Sequence, residues 1–430
     1  MKTEIKKYKN GITLAVTKME GFDSVAFNIF VKTGSINEVK GNYGISHFIE
    51  HMLFKGTEKR SAYMISKQLD SLGANVNAYT DKEETTYFFK TSNDNLEKCV
   101  DILSDMFFHS VFDAKEMKRE KRVVCEEISM YSDDAYSKSE LLNDALIYNG
   151  TPYGFDVAGS KQSVLGLTKQ KILNYMKKFY NPENVIVAFS GNVNMKQAEK
   201  LMEKYFLNEY GLSLNDEVKY EEKQEKLNPM KTIIDKRFNK NYKNNEQSNV
   251  CISYKTFDEF DQRKHALSVL NIAFGFGMSS RLFQLIREKL GLVYNISTNV
   301  NLNQAGGNLT IHFATTTKNT ALALKEIRKE IQNLVDNGFT MSEFEDSKNN
   351  LITSIKLAYE STSAMNLKVC KNLKDYGKVI QKEQMVENIQ NVKYEDVNKL
   401  FKQLFNTEKY CITYVGNNTR INLNKNYSLE

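Results

Sequence analysis

No stretch of about 18 consecutive apolar residues occurs in this chain, which excludes a helical membrane span. The first residues, MKTEIKKYKNGITLAV, are charged from Lys2 onward and lack the ~7–15-residue apolar segment of a secretory signal peptide. The mature chain is therefore expected to begin here, and to reside in the cytoplasm with no membrane partner. Cysteine is scarce. Cys99, Cys125, Cys251, Cys370 and Cys411 are odd in number, scattered and without a CxxC pair, which excludes a disulfide framework and makes them poor metal ligands. One-sided charge is also missing: 59 Lys+Arg face 53 Asp+Glu, and the two signs interleave. No basic run is joined to an aromatic RNA-binding signature, so no nucleic-acid partner is expected.

What remains is an ordinary globular composition, 41% hydrophobic and 26% charged over 430 residues. At ~150 residues per domain that predicts about three domains or two large ones. Val25, Phe27, Ile29 and Val31 alternate with Ala26, Asn28, Phe30 and Lys32, which predicts a strand. A helix is expected from about Gly44, another over 61–72 closed by Gly73, then a hairpin of 76–80 and 85–91. Asp113 with Glu116 three residues on resembles a capping box at a helix start. Tyr180-Asn181-Pro182-Glu183-Asn184 breaks the pattern before a short apolar strand, 185–189. The polar stretch after Leu212 reads as a linker.

The two sides of that stretch look related. The run TTYFFKTS, an amphipathic segment and Phe112…Glu116 are matched by NLTIHFATT, a second amphipathic segment and Phe339…Glu343, at a constant offset of 227 residues. One repeat of half the chain is too long for a solenoid and points to a duplicated α+β domain. The expected division is 1–212, a linker 213–235, and 236–430.

His47-Phe48-Ile49-Glu50-His51 stands far above background. Ile45, Phe48, Ile49, Met52 and Leu53 follow the spacing of a helix packed on a core, which gathers His47, Glu50 and His51 on the neighbouring face. Two imidazoles one turn apart suit a metal such as zinc, which takes a third protein ligand and keeps an open position for water. The carboxylate between them is placed as general base and acid. The third ligand is expected on the helix 113–130, where Glu120, Glu126 and Glu127 are the candidates and residue types cannot choose among them. Gly275-Phe-Gly-Met-Ser-Ser280 lacks the remaining residues of a phosphate loop. His109, His265 and His312 stand alone.

HFIEH is the inverted zinc motif H-x-x-E-H. With Gly44 through Thr57, Gly73-Ala-Asn-Val-Asn-Ala-Tyr-Thr80, the VVCEEI run, Tyr180–Asn184 and Arg287–Tyr294, it resembles the pitrilysin/insulinase family of zinc metallopeptidases. The match is closest to the short bacterial class similar to the β-type subunit of mitochondrial processing peptidase. The resemblance implies two homologous α+β domains, each an antiparallel sheet packed with helices, forming half of a clamshell chamber. It implies one Zn2+ per chain held by His47, His51 and Glu127, with Glu50 as base and Glu120 behind a ligating imidazole. Asn77 and Ala78 would lie on a substrate-binding edge strand, with Phe48 also at the substrate. Arg287 and Tyr294 would bind the peptide and stabilise the oxyanion. At the 227-residue offset His47 and Glu127 fall on Phe274 and Ser354, so the second half carries no zinc site. The expected activity is hydrolysis of extended peptides or unfolded protein by a homodimer, or by a heterodimer with an inactive relative. The alternative is a non-catalytic scaffold subunit of a processing-peptidase-like complex.

Overall fold

The computed structural model describes residues 2–222, 227, 237–407, 409–418 and 420–428. The described chain forms two compact units, each built on one sheet.

The first sheet contains β1 (Thr3–Tyr8), β2 (Thr13–Lys18), β3 (Ser24–Val31), β4 (Asn75–Thr80), β5 (Thr85–Ser92), β6 (Val185–Gly191) and β7 (Glu217–Val218) in the order β4-β5-β3-β6-β2-β1-β7. The second contains β8 (Arg237–Tyr242), β9 (Gln247–Lys255), β10 (Asn295–Asn303), β11 (Gly306–Thr316) and β12 (Tyr410–Gly416) in the order β10-β11-β9-β12-β8. Five strands correspond in the same spatial order, as a duplicated domain requires. Neither sheet is wholly antiparallel. β2 pairs with β6, and β8 with β12, in parallel, which requires a crossover; the long run of strands and helices between the members of each pair supplies it.

The helices of the first half include α1 (Ile45–Leu53), α2 (Ala62–Ser71), α3 (Leu96–His109), α4 (Ala114–Asp133) and α5 (Ala135–Ile147). Ser61 caps α2 by accepting from the Met64 amide, and Gly73 follows with φ +61°, a left-handed stop. At α4, Asp113 accepts from the Lys115 and Glu116 amides at 2.8 and 3.0 Å. The Glu116 carboxylate turns to Arg119 rather than back, so only half of the expected box forms.

The linear division 1–212 and 236–430 does not describe the units. The first comprises the described residues of 1–128, 155–225 and 357–381, and the second those of 129–154, 226–356 and 382–430. Helix α5 packs on β9 and β12, and its counterpart 227 residues on, Thr362–Tyr376, packs on β3 and β6. Each half thus supplies the helix that covers the other half's sheet. This is why Ala26, Asn28 and Phe30 are as buried as Val25, Phe27 and Ile29, although their alternation predicts one wetter face. The expected linker 213–235 begins as structure, since β7 pairs with β1; residues 223–226 and 228–236 of it lie outside the described residues.

The Thr362–Tyr376 helix is tied to the β4–β5 turn by charge. Lys374 Nζ lies 2.8 Å from Glu83 and 2.6 Å from Glu84, and Lys371 Nζ 2.8 Å from Glu84. Glu84 is 2% exposed, and a carboxylate that deep persists ionised only when paired.

A candidate zinc centre on helices α1 and α4

Gly44 precedes α1 with φ +87°, and a Cβ there would meet the Ala158 carbonyl oxygen at 2.4 Å, so only glycine fits. The buried carboxylate of Glu38 then accepts from the Gly44 and Ser46 amides at 2.7 and 2.9 Å, filling donors that the start of a helix leaves open. Ser46 Oγ bonds the Tyr175 hydroxyl at 2.8 Å. Ile45, Phe48, Ile49, Met52 and Leu53 are buried in the core, which leaves His47, Glu50 and His51 half-buried on the other face.

Three ligand atoms converge there. His47 Nε2 and His51 Nε2 are 3.3 Å apart, His51 Nε2 is 3.4 Å from Glu127 Oε2, and His47 Nε2 is 3.8 Å from the same oxygen. Bonds of about 2.0–2.1 Å in a tetrahedral zinc site put neighbouring donors about 3.3 Å apart. The observed triangle fits that ion. Among the described residues no other group of three or more His, Cys, Asp or Glu is placed to hold a metal. Glu126, one residue away, is exposed.

Glu120 is almost fully buried and divides its oxygens between His51 Nδ1 and Lys55 Nζ, both at 2.8 Å. Burial raises its carboxyl, but the bonds to His51 and Lys55 prevail and hold it below the usual range. Holding Nδ1 in this way directs His51 Nε2 at Glu127 and His47. Burial and the neighbouring His51 keep His47 neutral, while His51, opposed by burial, is raised by Glu120 and Glu127. A metal ligated by His51 Nε2 would take the place of the proton that these carboxylates favour on that ring. Glu50 is raised by burial, against a 2.7 Å bond to its Oε2 donated by Thr80 Oγ1.

Thr80 ends β4, and β4 is the edge of its sheet, with Asn77 exposed and Ala78 half-buried. Phe48 is 0% exposed and faces the core, so it cannot meet a substrate as expected; the helical spacing that makes His47 and His51 neighbours also turns Phe48 inward. In the second unit Tyr294 is 73% exposed, and Arg287 Nε donates to the Tyr294 carbonyl at 3.0 Å. Glu38, Lys55 and Thr80 carry no recognisable signal of their roles in the sequence, apart from the place of Thr80 at the end of the run from Gly73.

His109, His265 and His312 lie outside the metal group. His312 on β11 is buried against Tyr136 at 4.2 Å, and neither ring nitrogen has a hydrogen-bond partner among the described residues. Burial pushes its pKa from 6.5 down to about 4. The unfolded chain protonates this histidine below pH 6.5 and the folded chain does not. Its contribution to stability is therefore complete above pH 6.5 and is lost as pH falls toward 4, by about 3 kcal/mol in all. Urea unfolding of His312→Phe beside the parent should show their stability difference shifting in favour of the variant by about that amount between pH 7 and 4.

Comparison with known proteins places these features in context. A family model described as "Insulinase (Peptidase family M16)" matches residues 14–158, and one described as "Peptidase M16 inactive domain" matches 166–351. The chain is similar to an "uncharacterized zinc protease" of Bacillus subtilis, 33% identical and covering 96% of this chain and 98% of that one. A protein of the same description from Rickettsia felis is 32% identical, over 93% and 95%. Among solved structures, a protease from Helicobacter pylori superposes with a TM-score of 0.86 at 23% identity, covering 96% of this chain and 99% of that one. A putative M16-like peptidase from Alicyclobacillus acidocaldarius gives 0.79 at 18%, over 96% and 98%. These two likenesses show a shared fold.

Proposed function

The chain belongs to the insulinase family of peptidases, family M16, and on that premise we propose that it is a zinc-dependent endopeptidase or oligopeptidase acting on extended peptides and unfolded protein. The observation that carries the proposal is the triangle of His47, His51 and Glu127 beside the carboxylate of Glu50 on one helix face. A single zinc ion bound there supplies Lewis-acid polarisation of a peptide carbonyl and acidifies water at neutral pH. The rest is the work of the chain. Glu50, with Oε2 held by Thr80, has Oε1 to take a proton from attacking water and return it to the leaving amine. Glu120 keeps His51 in one tautomer. The outer edge of β4 is where an extended peptide would pair at Asn77 and Ala78, replacing the 2.8 Å bond that the Ala78 amide donates to Asn77 Oδ1, which gives affinity with little dependence on side chains. By the family resemblance, Arg287 and Tyr294 are the candidates for binding the substrate and the oxyanion, a preorganised electrostatic role.

The test is metal removal. A chelator should abolish peptide hydrolysis while far-UV circular dichroism stays nearly unchanged, with activity restored by added zinc. Loss of the dichroism together with the activity would assign the metal a structural role instead.

A further inference from the structure

We propose that Thr80 is the positioning residue for Glu50, and that the buried ion cluster of Lys371 and Lys374 with Glu83 and Glu84 holds Thr80 in place. The geometry of the base then depends on a helix supplied by the second half of the chain. The inference rests on the zinc-peptidase reading.

A carboxylate on a helix face has several rotamers open to it, and a general base needs one that presents a free oxygen to a neighbouring water. Thr80 Oγ1 donates to Glu50 Oε2 at 2.7 Å and so selects one arrangement. Thr80 is itself the last residue of an edge strand, paired on one side alone, which gives it little intrinsic stiffness. Its placement is set by the turn at its C-terminal end. The Asp81 amide donates to the Glu84 carbonyl at 2.8 Å, and the Ser35 and Ile36 amides donate to the Asp81 and Lys82 carbonyls at 3.1 and 3.0 Å.

The other side of the turn is held by ions. Lys374 reaches Glu83 and Glu84, and Lys371 reaches the second oxygen of Glu84, so both oxygens of a carboxylate that is 2% exposed are engaged by the Thr362–Tyr376 helix. Without those cations Glu84 cannot stay buried as an ion: the turn opens to water, or the carboxylate takes up a proton and gives up its ionic hold on the helix. Thr85, next to Glu84, is the direct strand partner of Thr80, so a shift of the turn is felt one residue pair away. An error of about 1 Å at a catalytic group costs on the order of 10²-fold in rate.

The test uses the full-length, zinc-loaded chain. Thr80→Val should keep the zinc content and melting temperature, lower kcat about 10- to 100-fold with KM within about twofold, and be rescued by Thr80→Ser. Lys374→Met should show the same kcat deficit at equal zinc content; if it fails to fold, Lys371→Met, which loses one contact from a more exposed side chain, replaces it. Crystal structures of the metal-free variants should show Glu50 leaving the rotamer it holds in the metal-free parent. A kcat within twofold of the parent for Thr80→Val, or an unmoved Glu50 in these crystals, overturns the proposal. If the parent hydrolyses no peptide, the zinc-peptidase reading falls by itself, and the Glu50 rotamer alone decides this inference.

Discussion

Glutamine in place of Glu50 is expected to leave zinc bound at the parent stoichiometry and to lower kcat/KM by about 10³-fold or more. The amide matches the carboxylate in size, and its oxygen can still accept the 2.7 Å bond from Thr80. The helix carrying His47 and His51 is packed through other residues, Ile45, Phe48, Ile49, Met52 and Leu53. Neither the fold nor the ligand set therefore has reason to change. What is lost is the carboxylate proposed to accept and return the proton, and general acid–base catalysis alone accounts for about 10²–10⁴ in rate. Steady-state hydrolysis of a quenched peptide, with zinc measured on the same sample, checks both halves of the expectation. Parent-level hydrolysis by the variant would remove Glu50 from the mechanism.

The second large effect separates three neighbouring acids on α4. Glu127→Ala is expected to weaken zinc binding by about 10²–10³-fold, since roughly 10–16 kcal/mol of structural zinc affinity is shared among four ligands. Hydrolysis at sub-saturating zinc should disappear with it. Glu120→Gln removes a charge that His51 and Lys55 both use and should cost about 10- to 100-fold in affinity. Glu126→Gln alters an exposed side chain and should change nothing beyond twofold. Competition with a chromophoric chelator ranks the three. If Glu126→Gln proved the most damaging, the register of α4 against α1 would be wrong.

Local patterns in the sequence are legible where one short segment decides its own structure. The β4–β5 hairpin, the capped α2 and the apolar stripe of α1 all follow from spacing within about ten residues. The duplication is visible because Phe112 and Glu116 recur as Phe339 and Glu343. The exchange of α5 and Thr362–Tyr376 is not, since an amphipathic helix shows which face is apolar and nothing about which sheet receives it. The parallel pairs β2–β6 and β8–β12 are hidden for the same reason: strand pairing across more than 150 residues leaves no local trace.

The site divides in the same way. His47, Glu50 and His51 announce themselves by spacing, whereas Glu127 can be chosen over Glu126 in the sequence only through family resemblance. Thr80, Lys374 and Glu38 act through contacts between distant segments, and their residue types are common on any surface. Phe48 does not reach the substrate side, and its own helical spacing, which turns it to the core, is the reason.

The most direct test of a single catalytic zinc held by His47, His51 and Glu127 is to titrate zinc into the metal-stripped chain while following peptide hydrolysis. The expected result is activity that rises linearly to one equivalent per chain and then stays flat, with no rise at all in a His47→Ala/His51→Ala variant. Hydrolysis that is absent at full occupancy, or that persists in that variant, would contradict it.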